Sequence, residues 1–294
     1  MAERADIKDF LTTRRARLTP EQAGLPDFGG RRRVPGLRRE EVALLAGMSV
    51  EYYVRLERGN ASGVSGSVLD GISRALQLDD AEHAHLHDLV SAANDGKRPS
   101  RRRTRTGYRQ ISENMQRTLD AMYTVPAYVQ NGRLDIVATN ALGRAMFSEM
   151  YVDEHRPANF ARFLFLDSRS PSFYFDWEDA ARQTVALLRS EAGRAPHDRA
   201  LSDLVGELST RSHAFRTRWA SHDVREHRTG IKEIHHPAVG DLHLTYEAMN
   251  PTSDRGILFV VYTAEPGSAS HERLQLLANL TATNPSAPQD YPSR

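Results

Sequence analysis

The segment from Leu37 to Asn60, LRREEVALLAGMSVEYYVRLERGN, constrains the fold of this chain more than any other stretch. Its pattern predicts two short helices, over about 38–46 and 50–58, that cross closely at a turn. Such a crossing requires a small residue where the helices touch and a flexible residue in the turn, and Ala43 and Gly47 supply them. The positions that turn inward carry apolar residues, namely Val42, Ala46, Met48, Tyr53 and Leu56. The segment is therefore predicted to form a helix-turn-helix.

The outward face of the second helix carries groups that suit a DNA major groove. Ser49 stands where the N-cap of this helix belongs. The exposed positions are Glu51, Tyr52, Arg55 and Arg58, which share one face of the helix. Arginine can make a bidentate contact to guanine, and glutamate can accept a hydrogen bond from the cytosine amino group. The pattern thus favours a DNA-reading helix over the alternative, a generic helical hairpin with a glycine turn.

The charges are unevenly distributed along the chain. Residues 1–110 carry 20 Lys and Arg against 15 Asp and Glu, and the remaining residues carry 19 against 23. This asymmetry predicts that only the first part meets a polyanion. Its arginines form three clusters, Arg14–Arg17, Arg31–Arg33 and Arg101–Arg105, each of which could equally be solvated surface. We interpret Arg31, Arg32 and Arg33 as phosphate contacts because they precede the motif. The third cluster is interpreted as an extended tether, with minor-groove contact as the alternative.

The Leu37–Asn60 segment resembles the Xre/phage-repressor class of helix-turn-helix domains, whose five helices fit residues 7–93. The resemblance implies that Arg38 and Arg39, at the start of the second helix, reach phosphates or a base edge. It also implies that Val50, Glu51 and Arg55 face base edges, with Ser49 and Tyr52 nearer the DNA backbone. The loop ahead of the motif is longer and more arginine-rich than in small phage repressors.

The second half of the chain mixes helices and strands. Asn131-Gly132 predicts a hairpin closed by a two-residue type I′ turn, which requires positive φ at both residues. Three further strand-like runs lie at about 228–235, 241–249 and 256–264, after a helical middle. Strands at both ends of a helical stretch predict an antiparallel sheet with helices packed on one face.

Residues 110–280 resemble the ligand-binding domain of MmyB-like transcription regulators. The resemblance rests on stretches such as PAYVQNGRLDIVATNALGRAMF, NFARFLFLDSRSPSFYFDWEDAA and HAFRTRWASHDVREHRTGIKEIHHPAVGDLHLTYE. It implies a PAS-like α+β fold attached to an Xre-type reader. It also implies a mostly apolar cavity, which in some relatives holds a fatty acid or a similar apolar molecule. The fold class predicted for the whole chain is therefore multidomain, with an all-α five-helix domain followed by an α+β PAS-like domain.

The residues themselves indicate a lined cavity only weakly. The region from Phe160 to Trp177 is rich in aromatic residues, which we interpret as core rather than as cavity lining. Ligand pockets are mainly apolar with a few polar groups that fix orientation. The candidate ligand-binding residues are Asn140, Phe163, Trp177, His222, Arg225, His236 and Tyr246. For each of them the alternative is a structural residue whose hydrogen bonds are satisfied within the fold.

Other chemistries find little support in the sequence. The absence of cysteine excludes disulfides, thiol catalysis and cysteine-ligated metals. Of the alternating His83, His85 and His87, only the first and third share a helix face, and a closed zinc site requires four ligands. We therefore predict solvent-exposed histidines and no metal site. The chain has no nucleophile elbow and no phosphate-binding loop, so no catalytic residue and no enzymatic activity are predicted.

Together these observations predict four segments: a DNA-binding domain over 1–93, a basic linker over 94–109, a PAS-like ligand-binding and dimerisation domain over 110–280, and a flexible tail over 281–294. The charged N-terminus and the lack of a long apolar run predict a cytoplasmic protein without a membrane partner. The function expected is that of a homodimeric transcription regulator that binds a double-stranded DNA operator and senses a small apolar effector. The alternatives are a DNA-binding protein whose second domain only dimerises, and an enzyme fused to a DNA reader.

Overall fold

The computed structural model describes residues 2–25, 36–95, 111–151, 157–220, 229–252 and 256–283. The α-helices of this part of the chain are α1 (Ala2–Arg17), α2 (Arg39–Leu45), α3 (Val50–Glu57), α4 (Gly66–Ala75), α5 (Asp80–Asp95), α6 (Glu113–Asp120), α7 (Ala141–Met146), α8 (Phe160–Leu166), α9 (Ser170–Phe173), α10 (Trp177–Arg194), α11 (Arg199–Arg211), α12 (His213–Trp219) and α13 (Ala269–Thr283). A short 3-10 helix spans Ser148–Tyr151. The strands are β1 (Ala127–Asn131), β2 (Ile136–Thr139), β3 (Thr229–His236), β4 (Gly240–Met249) and β5 (Ile257–Thr263). No described helix combines the length and the apolarity that a membrane crossing requires.

The chain divides into two compact units. The first joins residues 1–105 to residues 185–226, and the second joins residues 106–184 to residues 227–294. The first unit is helical, which confirms the all-α class predicted for the N-terminal part. The second unit contains all five described strands.

The core of the first unit forms where the apolar faces of α1 to α5 meet. Its largest fully buried side chains include Phe10, Tyr53, Leu56 and Leu86, and α1 packs against α3 and α5. Two arginines of the basic Arg14–Arg17 cluster take part in this core. Arg14 forms an ion pair with Glu82 at 2.8 Å and is 3% exposed, while Arg15 is paired with Glu57. These two side chains therefore hold helices together and do not form a free basic surface.

The second unit is built on a five-stranded antiparallel sheet in the order β2-β1-β5-β4-β3. This arrangement confirms the predicted α+β PAS-like class. In β4 the burial alternates, so that Leu242, Leu244 and Tyr246 point inward while His243 and Thr245 are exposed. The outer face is thus open along β4. At β1 and β5 it is covered, because Val129 and Phe259 pack in one cluster with Leu119 of α6. The expectation of helices on a single face is wrong at this end of the sheet.

The β1–β2 hairpin forms, but its turn differs from the predicted one. Positive φ occurs at Leu134 (φ 65) and at neither Asn131 nor Gly132. The amide of Leu134 donates to the carbonyl of Asn131 at 3.0 Å, and the loop closes only at Asp135, whose carbonyl accepts from the amide of Asn131 at 3.1 Å. The type I′ prediction is therefore wrong. The side chain of Asn131 also accepts from the amides of Arg133 and Asp135, at 2.9 and 3.1 Å, and these bonds stabilise the longer loop.

Candidate functional site

The turn between α2 and α3 has the geometry that the sequence predicts. Gly47 lies in the left-handed region at φ 68, its amide donates to Leu44 at 3.2 Å, and the amide of Met48 donates to Ala43 at 3.0 Å. This pair of bonds is the Schellman arrangement that ends a helix with glycine. Ser49 then caps α3, since its hydroxyl accepts from the amide of Tyr52 at 3.1 Å.

The inner faces of α2 and α3 bury the residues expected to be apolar contacts. Val42, Ala43, Tyr53 and Leu56 are fully buried, and Ala46 and Met48 are partly buried. The role of Gly71 on α4 was not predicted from the sequence. A Cβ atom at Gly71 would lie 3.0 Å from the carbonyl oxygen of Ala46, so glycine lets α4 approach the end of α2 closely. The end of α2 therefore packs directly against α4.

The outer face of α3 is open to solvent. Val50, Glu51, Arg55 and Arg58 are exposed, and Tyr52 is partly buried. The guanidinium of Arg55 lies 4.7 Å above the ring of Tyr52, a cation–π contact that holds both side chains on one side of the helix. A groove of about 650 Å³ follows this face and is lined by Val50, Glu51, Val54, Arg55, Arg58 and Asn60. The structure thus brings the predicted base-facing residues together on one exposed surface.

Glu57, which was not among the sequence candidates, lies at the centre of a charge cluster. Its carboxylate is 1% exposed and accepts from the Nε of Arg15 at 2.7 Å and from the Nε of Arg39. Arg15 also donates to the carbonyl of Leu37 at 2.8 Å, and the hydroxyl of Tyr53 lies 3.4 Å from the carboxylate. A signal was present in the sequence, because Glu57 shares the apolar face of α3 with Tyr53 at helical spacing.

This cluster fixes Arg39 at the start of α2 while leaving half of its side chain in solvent. Among the described residues, Glu57 engages the Nε of Arg39, and the half-exposed side chain leaves its terminal nitrogens available for a further contact. Arg38 is the N-cap residue, is exposed, and forms a 3.4 Å ion pair with Glu40. Arg31, Arg32 and Arg33 lie outside the described residues, as does the Arg101–Arg105 cluster.

In the second unit, two candidate ligand-binding residues have their polar atoms committed to the fold. The Oδ1 of Asn140 accepts from the amides of Ala127 and Gly143, and its Nδ2 donates to the carbonyls of Met122 and Val125. Both ring nitrogens of His236 are also engaged, with the carbonyl of Ala145 and the amide of Ala238, at 3.1 and 3.2 Å. Burial lowers the pKa of His236, which favours its neutral form. We assign both residues a structural role.

The other candidates divide into three kinds. The Nε1 of Trp177 donates to the carbonyl of Leu164 and the hydroxyl of Ser170, so that it ties α10 to α8 and α9. His222 and Arg225 lie outside the described residues. Phe163 and Tyr246 are buried and belong to a continuous aromatic network in the domain interior. Its eight members within the described residues are Tyr128, Phe147, Phe160, Phe163, Phe173, Tyr174, Tyr246 and Tyr262.

The aromatic network contains polar groups as well as rings. The hydroxyls of Tyr128 and Tyr262 lie 3.2 Å apart, and burial raises the pKa of both, so they stay neutral. The network confirms the interpretation of Phe160, Phe163, Phe173 and Tyr174 as core. Phe175, by contrast, is 40% exposed, so the interpretation is wrong there. Phe175 stacks on His235 on the outer face of β3.

Lys232 on β3 borders this network and was not among the sequence candidates. Its ammonium lies 4.6 Å above the ring of Tyr174. Among the described residues, it makes no hydrogen bond and no ion pair. Burial lowers the pKa of Lys232 from its ordinary value to about 8, although the carboxylate of Asp179 opposes the shift. The period of two along β3, which places Lys232 on the same face as the buried Ile234, was the signal that could have identified it.

The histidines of α5 differ from the prediction in part. His85 is 4% exposed and lies edge-on against Phe10, so the expectation of a solvent-exposed side chain is wrong for it. His83 and His87 are each about one-third exposed and face the same neighbour, Asp70 of α4.

Comparison with known families agrees with the two halves seen in the fold. Residues 9–86 match a helix-turn-helix domain, and residues 111–277 match the MmyB-like transcription regulator ligand binding domain. Both are regulatory domains, and the second match covers more than half of the chain. No curated protein matches the chain.

Proposed function

Because the chain belongs to the family of MmyB-like transcription regulators, we propose that it reads a specific DNA operator through α3 and senses a small apolar acid in its second domain. It joins a DNA-binding helix-turn-helix to a ligand-binding domain in one polypeptide, so one chain carries both the sensing domain and the DNA-binding domain of the regulator. It would act in the cytoplasm, where the operator is. The observation that carries the proposal is the exposed face of α3, on which Val50, Glu51 and Arg55 stand together.

The DNA-reading step divides between specifying and positioning contacts. Arg55 and Glu51 would meet base edges, since their hydrogen-bonding groups distinguish guanine and cytosine in the major groove. Arg39, held by Glu57, would present its two terminal nitrogens to a phosphate or a base edge at the start of α2. Arg38, Ser49, Tyr52 and Arg58 would contact the DNA backbone, and such contacts set register without carrying sequence information.

We further propose that the chain binds DNA as a homodimer. One reading helix of eight residues contacts only a few base pairs. Helix-turn-helix regulators therefore pair their readers on two half-sites about 34 Å apart, or a multiple of that spacing. The expected footprint is a pair of related half-sites, and sedimentation of the protein–DNA complex should give two chains per operator.

The proposed effector is an apolar molecule with an acidic group, such as a fatty acid. The apolar part would pack beside the aromatic network, whose own rings are in mutual contact at centroid distances of 5.1–6.3 Å. The acidic group suits Lys232, because its ammonium lies at the edge of that network without an anionic hydrogen-bond partner among the described residues. A carboxylate there would pair with the ammonium and accept from the hydroxyl of Tyr174.

Ligand binding would act on DNA by shifting the balance between two arrangements of the dimer. It can do so only if the effector binds one arrangement more tightly than the other. The alternative is a second domain that serves only dimerisation. In that case the fold of the second unit would be unaffected by any fatty acid, and DNA binding would not respond to one.

Selection of genomic DNA fragments by the purified full chain tests the DNA-reading proposal. Wild type should enrich fragments that share paired half-sites, and Arg55→Ala should relax the preference at one position of each half-site. Arg199→Ala, which removes an exposed arginine from α11, is the matched control and should enrich the wild-type set. Arg39→Ala is less suitable, because it also removes a partner of the buried Glu57. If Arg55→Ala enriches the wild-type set with unchanged affinity, the proposed reading face is wrong.

Paired titrations with dodecanoate and dodecanol test the ligand proposal. The two molecules share an alkyl chain and differ in charge, so wild type should bind the acid more tightly. A charge-assisted hydrogen bond contributes about 1.5–3 kcal/mol, or roughly 10–100-fold in affinity. Lys232→Met should abolish the preference, while Lys8→Met, on an exposed position of α1, should leave it intact. Equal affinities for both molecules in wild type would show that Lys232 does not bind the carboxylate. If neither dodecanoate nor dodecanol binds, the dimerisation alternative is favoured.

A further inference from the structure

Three potential metal-ligating side chains converge where α4 faces α5 in the first unit. The Nε2 atoms of His83 and His87 lie 3.6 and 3.7 Å from the Oδ1 of Asp70. One nitrogen or oxygen from each of the three residues lies within 4.8 Å of the other two. The two histidines are four positions apart on α5, so their rings lie on one face of the helix, with centroids 4.6 Å apart and planes tilted by 50°. None of these residues belongs to the DNA-reading face or to the effector site.

Two observations show that the cluster is more than a chance meeting of surface charges. The Nδ1 of His83 is hydrogen-bonded to the hydroxyl of Ser73 at 2.8 Å. Metal-ligating histidines characteristically use their second nitrogen in this way, because the bond fixes the ring and its tautomer. The Nε2 of His87 is buried and has no hydrogen-bond partner among the described residues. Asp70, at 3.7 Å from it, is too distant for a normal hydrogen bond.

The spacing of the donor atoms suits a transition metal. Zinc lies about 2.0–2.1 Å from histidine nitrogen and carboxylate oxygen, so tetrahedral ligands stand roughly 3.3 Å apart. The two histidine–Asp70 distances exceed that value by only a few tenths of an ångström, which small side-chain rotations can close. Imidazole favours zinc and its neighbours in the transition series over magnesium and calcium, which take oxygen ligands.

We propose that Asp70, His83 and His87 bind a divalent transition-metal ion, with zinc as the physiological choice. The three side chains are between one-third and one-half exposed, so the ion can enter from solvent and a water molecule can complete its coordination. The bound ion would link α4 to α5 and so stabilise the DNA-reading unit. The proposal departs from the expectation of no metal, because its third ligand comes from a different helix and only the fold brings it to the histidines.

Titration of the untagged, chelator-treated full chain with Co²⁺ and with Zn²⁺ tests the proposal. Co²⁺ should give the intense visible absorption of a tetrahedral site, saturating at one ion per chain, and Zn²⁺ should displace it. Ser73→Ala removes a supporting hydrogen bond and should weaken binding by about 10–100-fold. Asp70→Asn and His87→Gln remove ligands and should weaken binding further. His213→Gln, an exposed histidine on α12, should change nothing.

The outcomes that would overturn the proposal are distinct. An absence of saturable binding would overturn it, as would binding that is unchanged in Asp70→Asn, since that result would indicate a bare histidine pair. Circular dichroism of each variant shows whether the fold persists. If His87→Gln does not fold, the comparison of Asp70→Asn with wild type decides, because this change is isosteric and lies at a half-exposed position. DNA selection by wild type without metal separates this site from the proposed function, since the two can fail independently.

Discussion

Replacing Glu57 by glutamine should selectively weaken the DNA-reading unit. The substitution keeps the size and shape of the side chain and removes its negative charge. In the native protein this carboxylate is 1% exposed and lies between the guanidinium groups of Arg15 and Arg39. The variant amide would therefore leave two arginines without their shared counter-charge.

The expected loss follows from the burial of the two arginines. Removing one partner of a buried ion pair destabilises a protein by about 3–5 kcal/mol, since the remaining charge stays buried. Arg15 is the charge that remains buried, at 12% exposed. Arg39 is half exposed, so water screens its share, and pairs of that kind contribute only about 0–1 kcal/mol. An amide oxygen can still accept from Arg15, so we expect the lower end of the range, about 3 kcal/mol.

Hydrogen exchange of the full chain measures this loss locally. A change of about 3 kcal/mol should accelerate exchange at the backbone amides of Tyr53 and Leu56 by roughly a hundredfold. Glu51→Gln makes the same chemical change at an exposed position of the same helix and should stay within about fivefold of wild type. If the exchange rates in Glu57→Gln also stay within fivefold of wild type, the buried charge cluster does not stabilise α3 as described.

Three further predictions concern other parts of the molecule. Gly47→Ala should destabilise the first unit by about 1–2 kcal/mol in hydrogen exchange, because the φ of 68 at this position is strained for alanine even though the space around it is empty. Gly206→Ala, inside α11, should be neutral or stabilising. Asn140→Ala should cost the second unit at least about 3 kcal/mol in denaturant unfolding, since it leaves two amides and two carbonyls without partners. Dodecanoate affinity should fall as pH rises through about 8, where Lys232 loses its proton. Without ligand, the stability of the folded state should instead rise with pH between that pH and the ordinary pKa of lysine, because the unfolded chain still binds a proton there that the folded chain has lost. A flat pH profile in both the ligand titration and the unfolding measurement would contradict both predictions.

Periodic patterns in the sequence predict most of the fold correctly. The amphipathic spacing of α2 and α3, the glycine of their turn and the cap at Ser49 are local features, and the structure has each of them in place. The strand runs are also local, and β3, β4 and β5 begin and end within about two residues of the predicted bounds, as is usual for such patterns. The order of the strands in the sheet depends on contacts between distant segments, and sequence patterns alone do not specify it.

Two of the features that the sequence does not predict depend on residues far apart in the chain. In the sequence, Glu57 is one more charged residue on α3, and only the fold shows that Arg15 and Arg39 lie beside it. Asp70 is unremarkable until α4 places it against the histidines of α5. The hairpin fails for a different reason, because Asn131 uses its side chain to bond the loop and so competes with the type I′ turn.

Whether α3 reads base pairs through its exposed face can be measured with a set of binding affinities for wild type and an Arg55 variant. The affinities of wild type and Arg55→Ala are measured for the selected operator and for every single base-pair substitution in one half-site. We expect the variant to lose about 1–3 kcal/mol of discrimination at one base pair and to retain the wild-type preferences elsewhere. A variant that keeps every preference, with uniformly lower affinity and a shallower salt dependence, would show that Arg55 contacts only phosphate and would contradict the claim.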